Sequence, residues 1–431
     1  MKPAVSDHFQ SRKPSAIRQA QITFAERADA DAVTPVNLAI GNVSLPMHPA
    51  MRERLRCAGT PEGGFADGVV KYTATVGVEE TRRAFLNVIG AAGASTEGLQ
   101  CVVTDGGSMA MELMILGTCG PVSKRPLMLL DPAYTNYMDI AKRSAVPTTS
   151  FSRVLTAEGV FTTPSTDELD ALLSAEQPAA LVVIPADNPT GQFLDQDALD
   201  ELGRLCVKHN LWLVSDEAYR QLQYGVDQVS SVWCITEERV PGITGRRISI
   251  ESASKVWNAC GLRIGALVTD SPEFHARAVA EYTANLSSNA LGQHVFAALG
   301  GQSHEELREW FARQRGYYEA MMTQVAEGLR EALPGIVVTR PQAALYAVVD
   351  VRELVGSEFD ALAFVNYCAR EGRVNLEGQE YTLLVAPLSG FYGRPNAQAR
   401  TQMRMAFVEP PERMALVPQL FAQLLAAFRE A

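Results

Sequence analysis

From residue 101 to residue 270 the chain alternates short apolar runs with amphipathic segments, the pattern a parallel sheet wrapped by helices requires. Strands are expected at 101–104, 127–130, 181–185, 211–215, 248–251 and 266–270. Between two of them, 195–209 sets Leu199, Leu202, Leu205 and Cys206 at helical spacing, so 181–216 reads as one right-handed βαβ unit. The expected class is therefore α/β. At 431 residues the chain exceeds what one hydrophobic core normally serves, and two packed domains are expected. Past about residue 300 the pattern changes. Segment 305–333 carries apolar residues on one helical face and Arg and Glu on the other; a mixed region at 336–339, 346–350 and 361–371 and a final helix at 411–430 follow.

Composition excludes some function classes. Acidic residues outnumber basic ones, 49 to 38, and the net charge of −11 would repel nucleic acid or an anionic membrane. The cysteines (Cys57, Cys101, Cys119, Cys206, Cys234, Cys260, Cys368) are odd in number and scattered, without a Cys-x-x-Cys pair. That argues against a disulfide framework and a zinc site, so no metal is expected and a reducing cytoplasm is the simplest location. The first 19 residues are polar and mixed in charge, unlike a secretory signal. The longest apolar stretch, 179–186, is far short of the roughly 20 residues needed to cross a bilayer.

Ligands of open α/β sheets sit beyond the carboxyl ends of the strands, and four polar signatures lie at such ends. The turn Asp105-Gly106-Gly107-Ser108 follows a strand and opens the helical stretch that begins at Met109. Its glycines allow close backbone approach, and the helix start with the Ser108 hydroxyl offers donors to a phosphate. Taken alone, such a turn is more often just a tight strand-to-helix connection. Asn188-Pro189-Thr190-Gly191 is a turn in its own right, and the turn also positions an amide. Asp216 ends the apolar run Leu211-Trp212-Leu213-Val214, where an unpaired charge is costly; it can cap a following helix or meet a buried cation. Lys255, in Ser252-Ala253-Ser254-Lys255-Val256-Trp257-Asn258-Ala259-Cys260-Gly261-Leu262-Arg263, has apolar and small neighbours that poorly suit a solvated lysine.

In this order and spacing, the segments resemble the pyridoxal 5′-phosphate (PLP) enzymes of fold type I, in particular the class I/II, aspartate-aminotransferase-like family. The resemblance spans about 37–407. It implies a large domain at 46–300 with a mainly parallel sheet wrapped by helices, and a small α+β domain formed by 1–45 and 301–431. It implies PLP held as a Schiff base by Lys255, whose freed amine then shuttles the proton between the substrate Cα and C4′. Asp216 would pair with the pyridine nitrogen, Tyr219 and Asn188 would bond the phenolic oxygen, and Tyr134 would stack on the ring. Gly107, Ser108, Met109, Ser252 and Arg263 would hold the cofactor on its phosphate side. Tyr72 would reach the phosphate of a neighbouring subunit, which implies a homodimer. Arg404 would clamp the substrate α-carboxylate, with Asn188 and Gly41 beside it; read without the family, its alternation with apolar residues also suits an edge strand facing solvent.

The chain departs from the family pattern at Gln342-Ala343-Ala344-Leu345-Tyr346 and at Leu388, where glycines are usual. No arginine occurs between Asn285 and Gln293, which weakens a dicarboxylate reading unless Arg313 or Arg315 approaches from elsewhere. The leading expectation is an aminotransferase that exchanges an amino group between an α-amino acid and a 2-keto acid. The same site can instead serve β- or γ-elimination or replacement, on S-adenosylmethionine or a cystathionine-type substrate. A PLP-binding module without turnover is the third reading.

Overall fold

A computed structural model describes residues 3–226 and 228–430; Met1, Lys2, Asp227 and Ala431, which fall within the expected domain ranges, lie outside the described residues. Seven strands form the large sheet, in the order Gln100–Thr104, Gly265–Thr269, Arg247–Ser252, Trp212–Asp216, Ala180–Val183, Leu127–Asp131 and Thr148–Ser152. All neighbours pair in parallel except Gly265–Thr269, which runs antiparallel to both strands beside it. The interior strands are apolar on both faces because helices cover both, and that made them visible as continuous runs. The expected βαβ unit is present as neighbouring parallel strands Ala180–Val183 and Trp212–Asp216 joined through the helix Gln196–Lys208, whose first turn is capped by Asp195 accepting from the Ala198 N–H at 2.9 Å.

The seventh strand, Thr148–Ser152, was not expected. It is the sheet's edge, built from Thr, Ser and one Phe, and its outward residues are exposed, so it lacks the apolar run that marks its neighbours.

Two smaller sheets come from both ends of the chain. Thr34–Asn37 pairs in parallel with Gln379–Leu384, which pairs with Val374–Leu376. The other holds Ala386–Pro387, Gln402–Ala406, Tyr346–Asp350 and Val337–Val338 in that order. A 29-residue helix, His304–Ala332, links these parts to the large sheet, started by a capping box between Ser303 and Glu306. From it Trp310 donates its indole N–H to the Val256 carbonyl at 2.8 Å, and its ring lies parallel to that of Trp257. The long helix thus braces the segment just after Lys255. The final helix is two pieces, Pro411–Met414 and Val417–Glu430; Pro418, which has no N–H to donate, falls in the first turn of the second. Among the described residues no helix is long and apolar enough to cross a membrane.

Candidate active site

A cavity of about 780 Å³ opens at the carboxyl ends of the large sheet's strands, where the second sheet group meets it. Its wall includes Gly41, Gly107, Ser108, Tyr134, Asp216, Tyr219, Ser252, Lys255, Arg263 and Arg404. Residues more than 350 positions apart in sequence thus share one chamber.

One wall is a concentration of donors. The strand Gln100–Thr104 ends in Gly106, whose φ of +77° is one that L side chains rarely adopt, and the helix Gly107–Thr118 starts immediately after it. A Cβ on Gly106 would collide with the Arg263 guanidinium, and one on Gly107 would come within 3.7 Å of the Ser252 Cβ. The turn, Ser252 and Arg263 are therefore packed together, with the helix N-terminus adding its partial positive charge. Asp105 faces away, accepting from Tyr282 Oη at 3.1 Å and the Asn289 N–H at 2.9 Å, and so ties the turn to the 282–289 segment.

The floor is Asp216, at the end of its strand and fully buried. Its carboxylate accepts from Tyr137 Oη at 2.9 Å and from the Ala218 N–H at 3.1 Å. The bond from Ala218 closes a turn and not a helix, so the helix-capping alternative for Asp216 does not hold, and its charge is left without a cation among the described residues. Burial is the main reason its pKa rises from the ordinary 3.8 to about 6. Sequence reasoning missed Tyr137; it lies three residues after Tyr134, one turn into the helix Thr135–Arg143.

Lys255 Nζ donates to the Gly41 carbonyl. A Cβ on Gly41 would overlap Tyr346 Oη and stand 3.1 Å from that Nζ, so only glycine fits at this point. Tyr346, named in the sequence only as part of a departing segment, is central: its hydroxyl shares a hydrogen bond with Tyr219 Oη at 3.0 Å, and its ring lies 4.6 Å from the Arg404 guanidinium carbon.

Arg404 sits in the middle of its sheet, opposite Val348 on one side and Ala386 on the other, and is 2% exposed. The edge-strand, solvent-facing alternative is therefore wrong. Its Nη1 donates to Asn188 Oδ1 at 3.3 Å and its Nη2 to the Ala39 carbonyl, while Nε is buried without a partner. Asn188 stands just behind the cavity wall, its amide also donating to Tyr219 Oη at 3.2 Å. In this turn Gly191, at φ +71°, packs against the Tyr346 carbonyl.

Besides Asn188, two further predicted residues are not in the lining. Met109 bonds back to the Gly106 carbonyl within the first helical turn, and Met111 lines the cavity instead. Tyr72 is 81% exposed and stands outside the chamber. Arg313 lies over the Trp310 ring and Arg315 bonds Gln221, so neither supplies a second arginine to the chamber. The helix Ala16–Ala25 does contribute Ile17, Arg18 and Gln21 to the wall. No motif marked that segment, which precedes the stretch covered by the resemblance.

The sequence profile of the family described as aminotransferase class I and II matches residues 33–392. The chain belongs to this family. The aminotransferase is 26% identical to the aspartate/prephenate aminotransferase of Thermus thermophilus over 364 residues, 83% of this chain and 87% of that one. It is 25% identical to an aspartate aminotransferase of Streptomyces avermitilis over 295 residues, 67% of each chain. Its fold is that of N-succinyldiaminopimelate aminotransferase from Mycobacterium tuberculosis, with a TM-score of 0.80 at 20% identity, covering 98% of this chain and 100% of the other. The protein is a PLP-dependent aminotransferase of fold type I. The elimination or replacement reading is not favoured, and a module without turnover does not describe a member of this enzyme family.

The residues present fit PLP. A doubly charged phosphate needs a cluster of donors with positive charge, and the Gly106 turn, Ser252 and Arg263 supply it. A pyridinium needs a buried anion, and Asp216 is one. An amine is within the same chamber at Lys255.

Proposed function

We propose that this aminotransferase exchanges amino groups between α-amino acids and 2-keto acids with Lys255 as its proton-transferring group and Arg404 as its carboxylate anchor. PLP supplies the electron sink that makes the substrate Cα–H bond acidic. Lys255 Nζ takes that proton and returns it on the other side of the exchange. Asp216 keeps the ring nitrogen protonated, and Tyr137 holds the Asp216 carboxylate in place. Asn188 and Tyr219 would bond the phenolic oxygen, Tyr134 would cover the ring, and Gly107, Ser108, Ser252 and Arg263 would receive the phosphate, with Met109, whose N–H is bonded to the Gly106 carbonyl, closing the turn behind them. Arg404 and Gly41 would face the substrate, and Asn188 would act on it through its bond to Arg404.

The observation that carries this reading is the Arg404 guanidinium: buried, in the same chamber as the Lys255 amine, with one N–H unpartnered. A buried orphan donor on a cation is costly, and a carboxylate satisfies it in the fork geometry a guanidinium favours. In the wider organisation proposed, 46–300 is the cofactor-carrying domain and 1–45 with 301–431 the smaller one that closes over it. The enzyme acts as a homodimer in which Tyr72 serves the neighbouring subunit. A cytoplasmic location is in keeping with seven cysteines that are all free.

The test is an absorbance titration of keto-acid-free holoenzyme with a panel of amino acids and S-adenosylmethionine. Stoichiometric conversion of the visible cofactor band to the amino form, reversed by a 2-keto acid, is the expected result. Recovery of the starting band with release of a leaving group counts against transamination. Lys255→Ala should abolish both the band and turnover; survival of both removes Lys255 from its role.

A further inference from the structure

Arg153 stands one residue past the edge strand Thr148–Ser152, in a segment no motif singled out, and its side chain is nearly buried. Its guanidinium fork reaches two separate turns. Nη2 donates to the carbonyls of Leu130 at 3.0 Å and Pro132 at 2.7 Å, and Nε to that of Asp131 at 3.3 Å. These three carbonyls are the turn that leads into Tyr134. On its other side, Nη1 pairs with Asp187 Oδ2 at 2.9 Å. Asp187 immediately precedes Asn188 and is built into that turn: its carboxylate accepts from Thr190 Oγ1 and its carbonyl from the Gly191 N–H at 3.0 Å. Asn188 in turn spans Tyr219 Oη and Arg404 Nη1. A chain of contacts thus runs from Arg153 through Asp187 to the amide that touches both Tyr219 and Arg404.

We propose that Arg153 is a positioning residue that fixes, through Asp187, where Asn188 stands relative to Tyr134 and Arg404. The inference rests on the reading of Asn188 as a group facing cofactor and substrate. Only a planar fork with several fixed N–H directions can satisfy three carbonyls and a carboxylate together; a lysine ammonium in the same place lacks that reach. Loss of the guanidinium leaves the buried Asp187 without its ion partner, which favours movement of its turn. A cavity of about 70 Å³ lined by Arg153, Asp187, Tyr137 and Gln192 adjoins the guanidinium, so a small cation can replace it.

The experiment compares holoenzyme carrying Arg153→Ala with holoenzyme carrying Asn188→Ala. It measures the pH at which the visible cofactor band changes, the KM and kcat for an amino acid donor, and recovery by free guanidinium. Arg153→Ala should shift the band's midpoint in the same direction as Asn188→Ala by about half a pH unit or more, and raise KM about tenfold. Millimolar guanidinium should reverse both. A merely structural role lowers thermal stability but moves neither the midpoint nor KM, and guanidinium does not restore it; that outcome overturns the proposal. If Asn188→Ala shifts the midpoint and Arg153→Ala does not, only the inference about Arg153 falls. If Asn188→Ala is itself silent, the reading of Asn188 falls and takes this one with it. Should Arg153→Ala fail to fold, Asp187→Asn keeps the Arg153 carbonyl bonds and removes the charge that links them to Asn188; the same shift of midpoint and KM is then expected, and its absence overturns the proposal.

Discussion

Asp216 is protonated more readily in the folded polypeptide than in the unfolded chain, because its pKa rises from 3.8 to about 6 on burial. Between about pH 4 and 6 the folded protein therefore binds the extra proton, so stability of the cofactor-free protein falls as pH rises through that window. Two pH units correspond to a penalty of about 3 kcal/mol at neutral pH. Cofactor-free Asp216→Asn should accordingly melt higher than the cofactor-free parent at pH 7.5, with the gap closing towards pH 4. Equal melting temperatures across that range would show that Asp216 does not carry the penalty. With PLP bound the sign reverses, since the pyridinium then pairs the charge, and the same variant should lose most of its turnover. In the proposed reading Arg404 is the second residue whose cost in the protein alone becomes its use in the complex. Arg404→Ala removes a charge-assisted fork and should raise KM about tenfold to a hundredfold for every amino acid donor, whatever its side chain. An unchanged KM would take Arg404 out of the substrate site.

Among the elements, the turn before the helix Gly107–Thr118 and the cap of the helix His304–Ala332 separate site from scaffold. Ser303→Ala deletes a capping hydrogen bond remote from the chamber and should cost about 1 kcal/mol of stability with cofactor affinity unchanged. Gly106→Ala adds one carbon at φ +77° against the Arg263 guanidinium, so it should weaken PLP retention well beyond its effect on melting. Comparable losses of affinity in both variants, measured as cofactor dissociation constants, would undo that distinction. The same elements show what a sequence displays and what it hides. Leu127–Asp131, Ala180–Val183 and Trp212–Asp216 were legible because both their faces are buried, whereas the edge strand Thr148–Ser152 is only partly buried and sets a single Phe among Thr and Ser. Asp216 and Lys255 stood out as residues ill-suited to their apolar neighbours, whereas Asn188 and Arg263 were marked for the site only by the family resemblance. Tyr137 and Tyr346 were not legible, since a tyrosine that bonds a buried carboxylate or covers a buried arginine looks in sequence like any core aromatic.

For the molecule as a whole, the chamber of one chain gathers the strand ends, the N-terminal helix and the central strand Gln402–Ala406, yet leaves Tyr72 outside and 81% exposed. Val69, Val70, Leu286 and Leu291 are exposed apolar residues as well, and the two segments that carry them are tied together by Thr75 Oγ1 donating to the Leu286 carbonyl at 2.7 Å and the Thr73 N–H donating to Ser287 Oγ at 3.3 Å. Exposed apolar side chains on linked segments suit burial against a second copy, and in the proposed dimer each Tyr72 would serve the other's chamber. Hybrid dimers decide whether it works there. A chain with Tyr72→Ala keeps its own Lys255, and a chain with Lys255→Ala keeps its own Tyr72. If Tyr72 serves the partner, the mixed dimer contains one complete site, assembled from the first chain's lysine and the second chain's tyrosine. Refolding or co-expressing the two inactive or impaired variants should then restore about half the activity of the parent per mixed dimer. If Tyr72 acted within its own chain, every site in the mixture would lack either the lysine or the tyrosine, and activity per mixed dimer would not exceed about half that of the Tyr72→Ala dimer.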